Sequence, residues 1–471
     1  MCYSYRYIAK IVIESKTPLS LASGECGITV DSEILLDYNG YPFIPGTSIT
    51  GVLRHCCDRE LINNKEEIKD IFGFDDDQAG KGSRIKVSSA YFIGKNGKVG
   101  ERILIKDEID QALQQFPDRQ HVRINDRGVS DEDNRGKFDQ QIALKGSRFV
   151  FELEFEGKED EEDIFRQIVS CLFLPEFRLG GGTRNGFGEI EVKGLTVDSY
   201  DLQTREGLMK YINRNKSLCV YPLSIPEEIT FTDTKFIIKY ELKLRPDDFF
   251  IFSSGVGSLE SDMNQIEENV IEWNENKPVL GKKKILIPAS SVKGAIAHRV
   301  AFHYNKRKER FVDYPNVTKD DVIGANNEAV KWLFGYSTNE NDKTVSKRGK
   351  IVFSDVYCGF NLSETNNPNE SKEKLSHINI DRFTGGVIGG ALFNEVVANI
   401  DEEFNFFITL VPERKENEKE KEEDKQAIGL IIDSLEDSLR DVKTGMLPLG
   451  GGVNRGHGCF TGRLFKNDEE I

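Results

Sequence analysis

The stretch Leu179-Gly-Gly-Gly-Thr-Arg-Asn-Gly-Phe-Gly188 sets a run of glycines around one arginine. Consecutive glycines adopt positive φ, let a backbone approach a ligand closely and turn N–H groups toward anionic oxygen, which suits a phosphate. A tight turn between a helix and a strand would explain one isolated run just as well. This run is not isolated, because it returns as Leu449-Gly-Gly-Gly-Val-Asn-Arg-Gly-His-Gly458. Gly181, Gly182 and Arg184, with Gly451, Gly452 and Arg455, therefore point to contact with a phosphate backbone.

Two further segments carry chemistry, and each also occurs twice. Ile44-Pro-Gly-Thr-Ser-Ile-Thr-Gly51 and Ile287-Pro-Ala-Ser-Ser-Val-Lys-Gly294 follow short apolar runs and open helix-like segments. Thr47, Ser48, Ser290 and Ser291 are placed to cap those helices, which alone accounts for their hydroxyls. A helix N-terminus also attracts phosphate, and Arg54, Lys293 and Arg299 stand on the turns that follow. No copy ends in Gly-Lys-Ser/Thr, so neither loop is that of a nucleotide-hydrolysing P-loop. The third segment joins arginine or lysine to aromatic residues: Arg123, Arg127, Lys137 and Phe138 in the first copy, Arg382, Phe383 and Phe393 in the second. That combination suits stacking on unpaired bases, and it suits a hairpin packing its own rings equally.

The elements that must position these residues follow from the repeat itself. The order of landmarks is the same in each half, with Phe72-Gly-Phe74 answered by Phe334-Gly-Tyr336, and Arg84-Ile-Lys-Val-Ser-Ser by Lys350-Ile-Val-Phe-Ser-Asp. Asp126-Arg127 and Phe138 reappear at the same internal spacing as Asp381-Arg382 and Phe393. Phe149 to Glu156 alternates apolar and polar residues like a half-buried strand, Phe404 to Val411 stands in the same place, and each leads through an acidic run to a helix. Such an ordered series indicates a duplicated gene. Each half reads strand, helix, strand, strand, helix, glycine loop, strand, which predicts an α+β protein of two tandem ferredoxin-like (RRM-like) units with hairpin insertions. The expected division is 1–215, a linker at 216–234 around Pro222 and Pro226, and 235–471. The insertion Lys95 to Gly146 is long enough to be functional or unstructured.

Composition bounds the reading. The chain has 471 residues, 38% hydrophobic and 30% charged, enough for two cores of ordinary size. No apolar run approaches the roughly 18 residues of a membrane span, and Met1 to Lys10 lacks a signal peptide's apolar stretch, so a soluble cytoplasmic protein is expected. The 8 cysteines include no Cys-x-x-Cys pair and suit buried thiols of a reducing compartment. A formal net charge of −16 argues against binding a polyanion. Much of the acid is concentrated at Glu156 to Asp163 and Pro412 to Lys425, however, and basic residues cluster around the glycines elsewhere.

At these residues the sequence resembles the RAMP superfamily, specifically the Cas seven family of backbone subunits in type III CRISPR effector complexes. The resemblance rests on the I-P-G-T-S-x-x-G helix start, the D-R-x-x-G…G-A-L-F segment from Asp381 to Phe393, and the G-G-G-x-x-x-G-x-G loop before each final strand. It covers nearly the whole chain twice, and a double-headed subunit of this kind resembles the fused backbone proteins of type III-D systems. The resemblance implies a palm built on the ferredoxin-like core and a thumb hairpin interrupting a guide–target duplex. It implies crRNA, target RNA and other CRISPR effector subunits as partners, with no membrane.

It also implies that target RNA is cut beside each thumb by a loop aspartate upstream of the I-P-G motif, aided by a divalent cation for which Mg2+ is the expected identity. Asp31 holds that position in the first half and is the expected metal-binding residue. Asp262 is its counterpart in a longer second loop, with Glu260 and Glu267 as rivals. The chemistry is reasonable: a carboxylate near a ribose can bind a metal or take the 2′-OH proton while that oxygen attacks the adjacent phosphorus in line. The second half departs from the family with Ile287-Pro288-Ala289, and the first thumb carries Gly136-Lys-Phe138 in place of G-A-L-F. Two alternatives stay open. One is a non-catalytic RNA-binding backbone subunit; the other is a guide-processing enzyme using a histidine base, for which His55, His298 and His457 lie near the repeated motifs.

Overall fold

The strand β1 (Tyr5–Ser15) buries Tyr7, Ala9, Ile11 and Ile13 on one face, the period-2 pattern of a strand in mid-sheet. A computed structural model describes residues 3–471 apart from 28–29, 61–64, 77–78, 125–135, 227–236, 256, 260, 312–316, 319–321, 323, 341–342, 359–371 and 413–421. In the first half, helix α1 (Gly46–Glu60) follows the Ile-Pro-Gly motif. Strands β2 (Asp118–Val122) and β3 (Lys137–Gln141) form a hairpin. Strand β4 (Arg148–Gly157), helix α2 (Glu162–Ser170) and strand β5 (Ile190–Asp201) complete the half. β1 lies antiparallel between β4 and β5, with Ile11 opposite Phe151 on one side and Leu195 on the other.

The second half repeats this arrangement. Strand β6 (Ile238–Pro246) is followed by a hairpin of β7 (Glu267–Asn274) and β8 (Lys277–Ile287), then helix α3 (Ala289–Arg307). Strands β9 (Lys372–His377) and β10 (Phe393–Ala398) pair antiparallel. Strand β11 (Phe404–Leu410), helix α4 (Glu422–Lys443) and strand β12 (Phe460–Lys466) follow. β6 lies between β11 and β12, with Leu242 opposite Phe406 and Leu464. The motif strands match as well: Ile85–Val87 pairs with β4 and Ile351–Phe353 with β11. Each half has its own core. Ile11, Phe151 and Phe155 pack with Leu53 of α1 and Phe165 and Ile168 of α2; Leu242, Phe406 and Ile408 pack with Ile296 and Val300 of α3 and Leu435 and Leu439 of α4.

Much of the insertion at 95–146 is packed. Val99, Leu104 and Leu113 are buried and Asn39 ties the segment down, its Oδ1 accepting from Leu104 N at 2.8 Å. The expected linker also begins as a packed strap. Leu218 is buried against Val12, Ile93, Val99 and Val150 on the back of the first sheet, and Lys10 Nζ donates to the carbonyls of Ser217 and Val220. Residues 227–234 of that linker lie outside the described residues. No described helix is long and apolar enough to cross a membrane.

The halves meet through buried polar contacts. Arg119 of β2, 2% exposed, pairs with Glu268 of β7 (Nε to Oε1 2.7 Å) and with Asp355, and Tyr357 donates to Glu268 at 2.7 Å. Burial works against a charged guanidinium, but Asp355 and Glu268 outweigh it and hold Arg119 cationic. Arg178 donates to Phe353 O at 3.1 Å and Ser354 Oγ at 2.8 Å. Trp273 of β7 reaches across to Gly146 O at 2.7 Å beneath the guanidinium of Arg148. Replacing Arg119 by Ala leaves two buried carboxylates facing each other without a counter-charge. We expect Arg119→Ala to cost about 3–5 kcal/mol in urea unfolding, whereas a loss under about 1 kcal/mol would mean that this network does not join the halves.

Candidate nucleic-acid interface

Toward the turn end of each strand pair a histidine faces a phenylalanine. His121 pairs with Phe138 and His377 with Phe393, and the rings stack at 4.8 Å and 4.7 Å. The backbone N–H of the next residue is held by an exposed aspartate from a distant loop. Asp139 N donates to Asp31 Oδ2 at 2.9 Å, and Asn394 N donates to Asp262 Oδ2 at 2.7 Å. The residue after each aspartate then runs parallel to its strand, Ser32 beside Gln140 and Met263 beside Glu395. Asp31 and Asp262 thus occupy the same place in the two halves. Glu267 lies further on, in β7, and pairs with Lys372; Glu260 lies outside the described residues.

The same frame is furnished differently in the two heads. In the first, Gln140 Nε2 meets His121 Nε2 at 3.1 Å while its Oε1 accepts from Ser20 Oγ at 3.2 Å, and Phe187 lies edge-on to His121. In the second, the corresponding residue is Glu395, fully buried, whose Oε1 meets His377 at 2.8 Å and His457 at 3.2 Å while Oε2 takes Arg455 at 2.6 Å. Burial pulls the Glu395 carboxyl upward, but His377, Arg455 and His457 together hold it below the ordinary carboxylate range. His121 goes the other way: burial, and then the charge of Arg119, push it down to about 4, so its ring is neutral at physiological pH.

The glycine loops do something other than the expected presentation of every amide. Gly181 N is spent on Ser20 O and Gly451 N on Ile251 O, both at 2.7 Å. These bonds pin each loop to the segment after β1 or β6. Positive φ recurs at matching glycines, and a Cβ on Gly188 or Gly458 would collide with the carbonyl of Leu179 or Leu449. Packing therefore explains much of the glycine pattern, while the Gly181–Gly182 face remains exposed. The second helix start also differs from expectation. Pro288 is the N-cap of α3 with no side-chain cap, Ser290 and Ser291 lie within the first turn, and Asp355 Oδ1 accepts from Ala289 N at 2.8 Å. In α1, Ser48 is exposed and Thr50 donates back to Gly46 O.

Other expected residues fall in three groups. Arg123, Lys137 and Phe138 lie exposed along the first hairpin and Arg382 and Phe383 at the tip of the second, where Phe383 is 100% exposed. Arg54 is exposed on α1, whereas Arg299 is directed to Asp441 at 2.5 Å and covers Phe302, away from the hairpins. Arg127 lies outside the described residues. The histidine alternatives are scattered: His298 is exposed on α3, while His457 is buried on Glu395. Sequence reasoning missed Ser20, Gln140 and Glu395. The signal was present in His121 and His377, which occupy matching hairpin positions and need partners when buried. Among the described residues no three His, Cys, Asp or Glu side chains converge into a metal-holding group.

A family model described as RAMP superfamily matches residues 12–191 and 234–461, once in each half. A search of curated proteins returns no match.

The depressed His121 value has a sign that can be measured. Because the folded value lies below the ordinary 6.5, the folded form binds fewer protons between pH 6.5 and about 4. The stability it contributes is complete above pH 6.5 and disappears as pH falls toward 4, by about 3 kcal/mol at most. Urea unfolding across that window should show a shallower pH dependence in His121→Gln than in the parent protein. Identical slopes would place the acid sensitivity elsewhere.

Proposed function

The chain belongs to the RAMP superfamily, and from that premise we propose that it is a double-headed, crRNA-binding backbone subunit of a type III CRISPR effector, similar to type III-D fusions, that cuts target RNA at the first head, with the second as the candidate for a further cut. One observation carries the reading: Asp31 and Asp262, far apart in sequence, accept a hydrogen bond from the same backbone position of their own hairpin, one residue beyond its aromatic. Two ferredoxin-like palms with thumb hairpins at β2–β3 and β9–β10 would set two such aspartates side by side along one RNA.

The chemistry assigned to these residues is modest. Each hairpin N–H fixes one carboxylate oxygen and leaves the exposed side of the aspartate turned to solvent, where a ribose 2′-OH can approach. The stacked Phe138–His121 and Phe393–His377 pairs offer a flat face toward the turn end of each hairpin's paired strands for a displaced base. In-line attack then depends mainly on how the strand is splayed, which is positioning rather than acid–base power. A divalent cation fits only as a hard ion held by one carboxylate, waters and RNA oxygens, since no three-ligand group exists among the described residues. When bound, it would acidify the attacking hydroxyl and offset charge on the phosphate.

The heads differ in the charge behind the aspartate: Gln140 and His121 stand behind Asp31, Glu395 with His377, His457 and Arg455 behind Asp262, and this difference supports a second reading in which the second head only positions RNA. The decisive experiment replaces Asp31 and Asp262 separately by Ala in the assembled ribonucleoprotein and maps target cuts. Each change should abolish one cut, by at least about 100-fold in rate, while guide content stays unchanged. An intact cut pattern in both variants would leave a purely structural backbone subunit.

A further inference from the structure

The two hairpins differ on the face turned away from their stacked rings. One position along from the His–Phe pairs, Gln120 lies directly opposite Asp139 across β2 and β3, and Ser376 lies directly opposite Asn394 across β9 and β10. Residues directly opposite in an antiparallel pair project to one face. In the second hairpin the two side chains satisfy each other, Ser376 Oγ donating to Asn394 Oδ1 at 2.6 Å. In the first, Gln120 Oε1 and Asp139 Oδ1 are both buried acceptors, and among the described residues neither has a hydrogen-bond partner. Leaving such atoms bare is costly, so a pair of them on one face calls for a bound water or ion.

Charge decides between the two. Asp31 Oδ2 accepts from Asp139 N at 2.9 Å, which brings two aspartates to this edge of the hairpin. Among the described residues no Lys, Arg or His forms an ion pair with either of them. Arg119, the preceding residue of β2, is spent on Glu268 and Asp355. The matching residue of the second hairpin is the neutral Asn394, which leaves Asp262 as the one aspartate of the pair there. The Gln120 amide is also held in place: a Cβ on Gly255 of the second half would run into its Oε1, so it is seated against bare backbone. A water satisfies two acceptors but brings no positive charge.

We propose that Gln120 Oε1 and Asp139 Oδ1 form a site for a hard divalent cation on the first hairpin, completed by water, which the second hairpin does not repeat. Amide and carboxylate oxygens are the ligands such ions take, and an ion that keeps most of its waters needs few protein ligands. The site is separate from the ion expected at Asp31 during cutting, and it stands whether or not the chain cuts RNA. Its effect is to offset the second carboxylate beside Asp31 and to cross-link β2 to β3.

The test measures binding of Mn2+ to the RNA-free full chain by electron paramagnetic resonance, with Mg2+ and Ca2+ as competitors. The parent should hold one Mn2+ that Asp139→Asn and Gln120→Ser each weaken by at least about tenfold. The double variant reproduces the pair that the second hairpin already carries, so it should fold and lose this ion altogether. Asp262→Ala should leave the affinity within about twofold, and Asp31→Ala should keep the ion bound. Equal Mn2+ binding in the parent and the double variant would overturn the site and leave water between the two acceptors. Loss of the ion in Asp31→Ala as complete as in the double variant would overturn it too, by placing the ion at Asp31. An unchanged cut pattern in the aspartate variants would bear on the functional reading alone.

Discussion

A buried arginine holds the two halves of this protein in one orientation. Arg119 leaves the first hairpin and enters a pocket made by Glu268, Asp355 and Tyr357 of the second half. Buried ion pairs add little stability over apolar residues of the same volume, but they are demanding of geometry, since any misplacement leaves a charge uncompensated. Asp355 also caps α3, so the same carboxylate that receives Arg119 fixes the start of the helix bearing Lys293. The base of the first hairpin and the helix start of the second half are therefore positioned by one shared group.

The duplicated frame tolerates different chemistry because backbone, not side chains, builds it. Hairpin register, the aspartate-to-amide bond and the pinning of each glycine loop by a carbonyl recur in both heads. Around it, a neutral glutamine stands in the first head where a buried glutamate with two histidines and an arginine stands in the second. The first arrangement has a neutral histidine at physiological pH; the second concentrates charge behind Asp262. Two copies of one fold have thus diverged in electrostatics while keeping their geometry.

Net charge is a poor guide to such a surface. The total of −16 includes acidic stretches such as Glu156 to Asp163, and many other carboxylates are spent inside the protein. Glu152 and Glu154 hold Arg214, and Asp441 holds Arg299 and His303. Charges at an exposed site act over a screening length of about 10 Å, so the local field there is not set by the sum over the chain.

By itself the sequence determined that there are two like α+β halves, and that glycine loops, helix starts and hairpins are the recurring parts. Those features are written in local periodicity and in motifs that repeat in order, so no folded structure is needed to find them. The β7–β8 hairpin, by contrast, stands where the sequence suggests only a longer loop. It could not show that Asp262 stands where Asp31 does, because the loop lengths differ and the match is set by the hydrogen bond to Asn394 and the pairing of Met263 with Glu395. Nor could it assign the glycines mainly to packing, remove Ser290 and Ser291 from the cap, or join Arg119 to Asp355. That pair is separated by more than a hundred residues, and its meeting depends on how one half docks on the other, which local pattern does not encode.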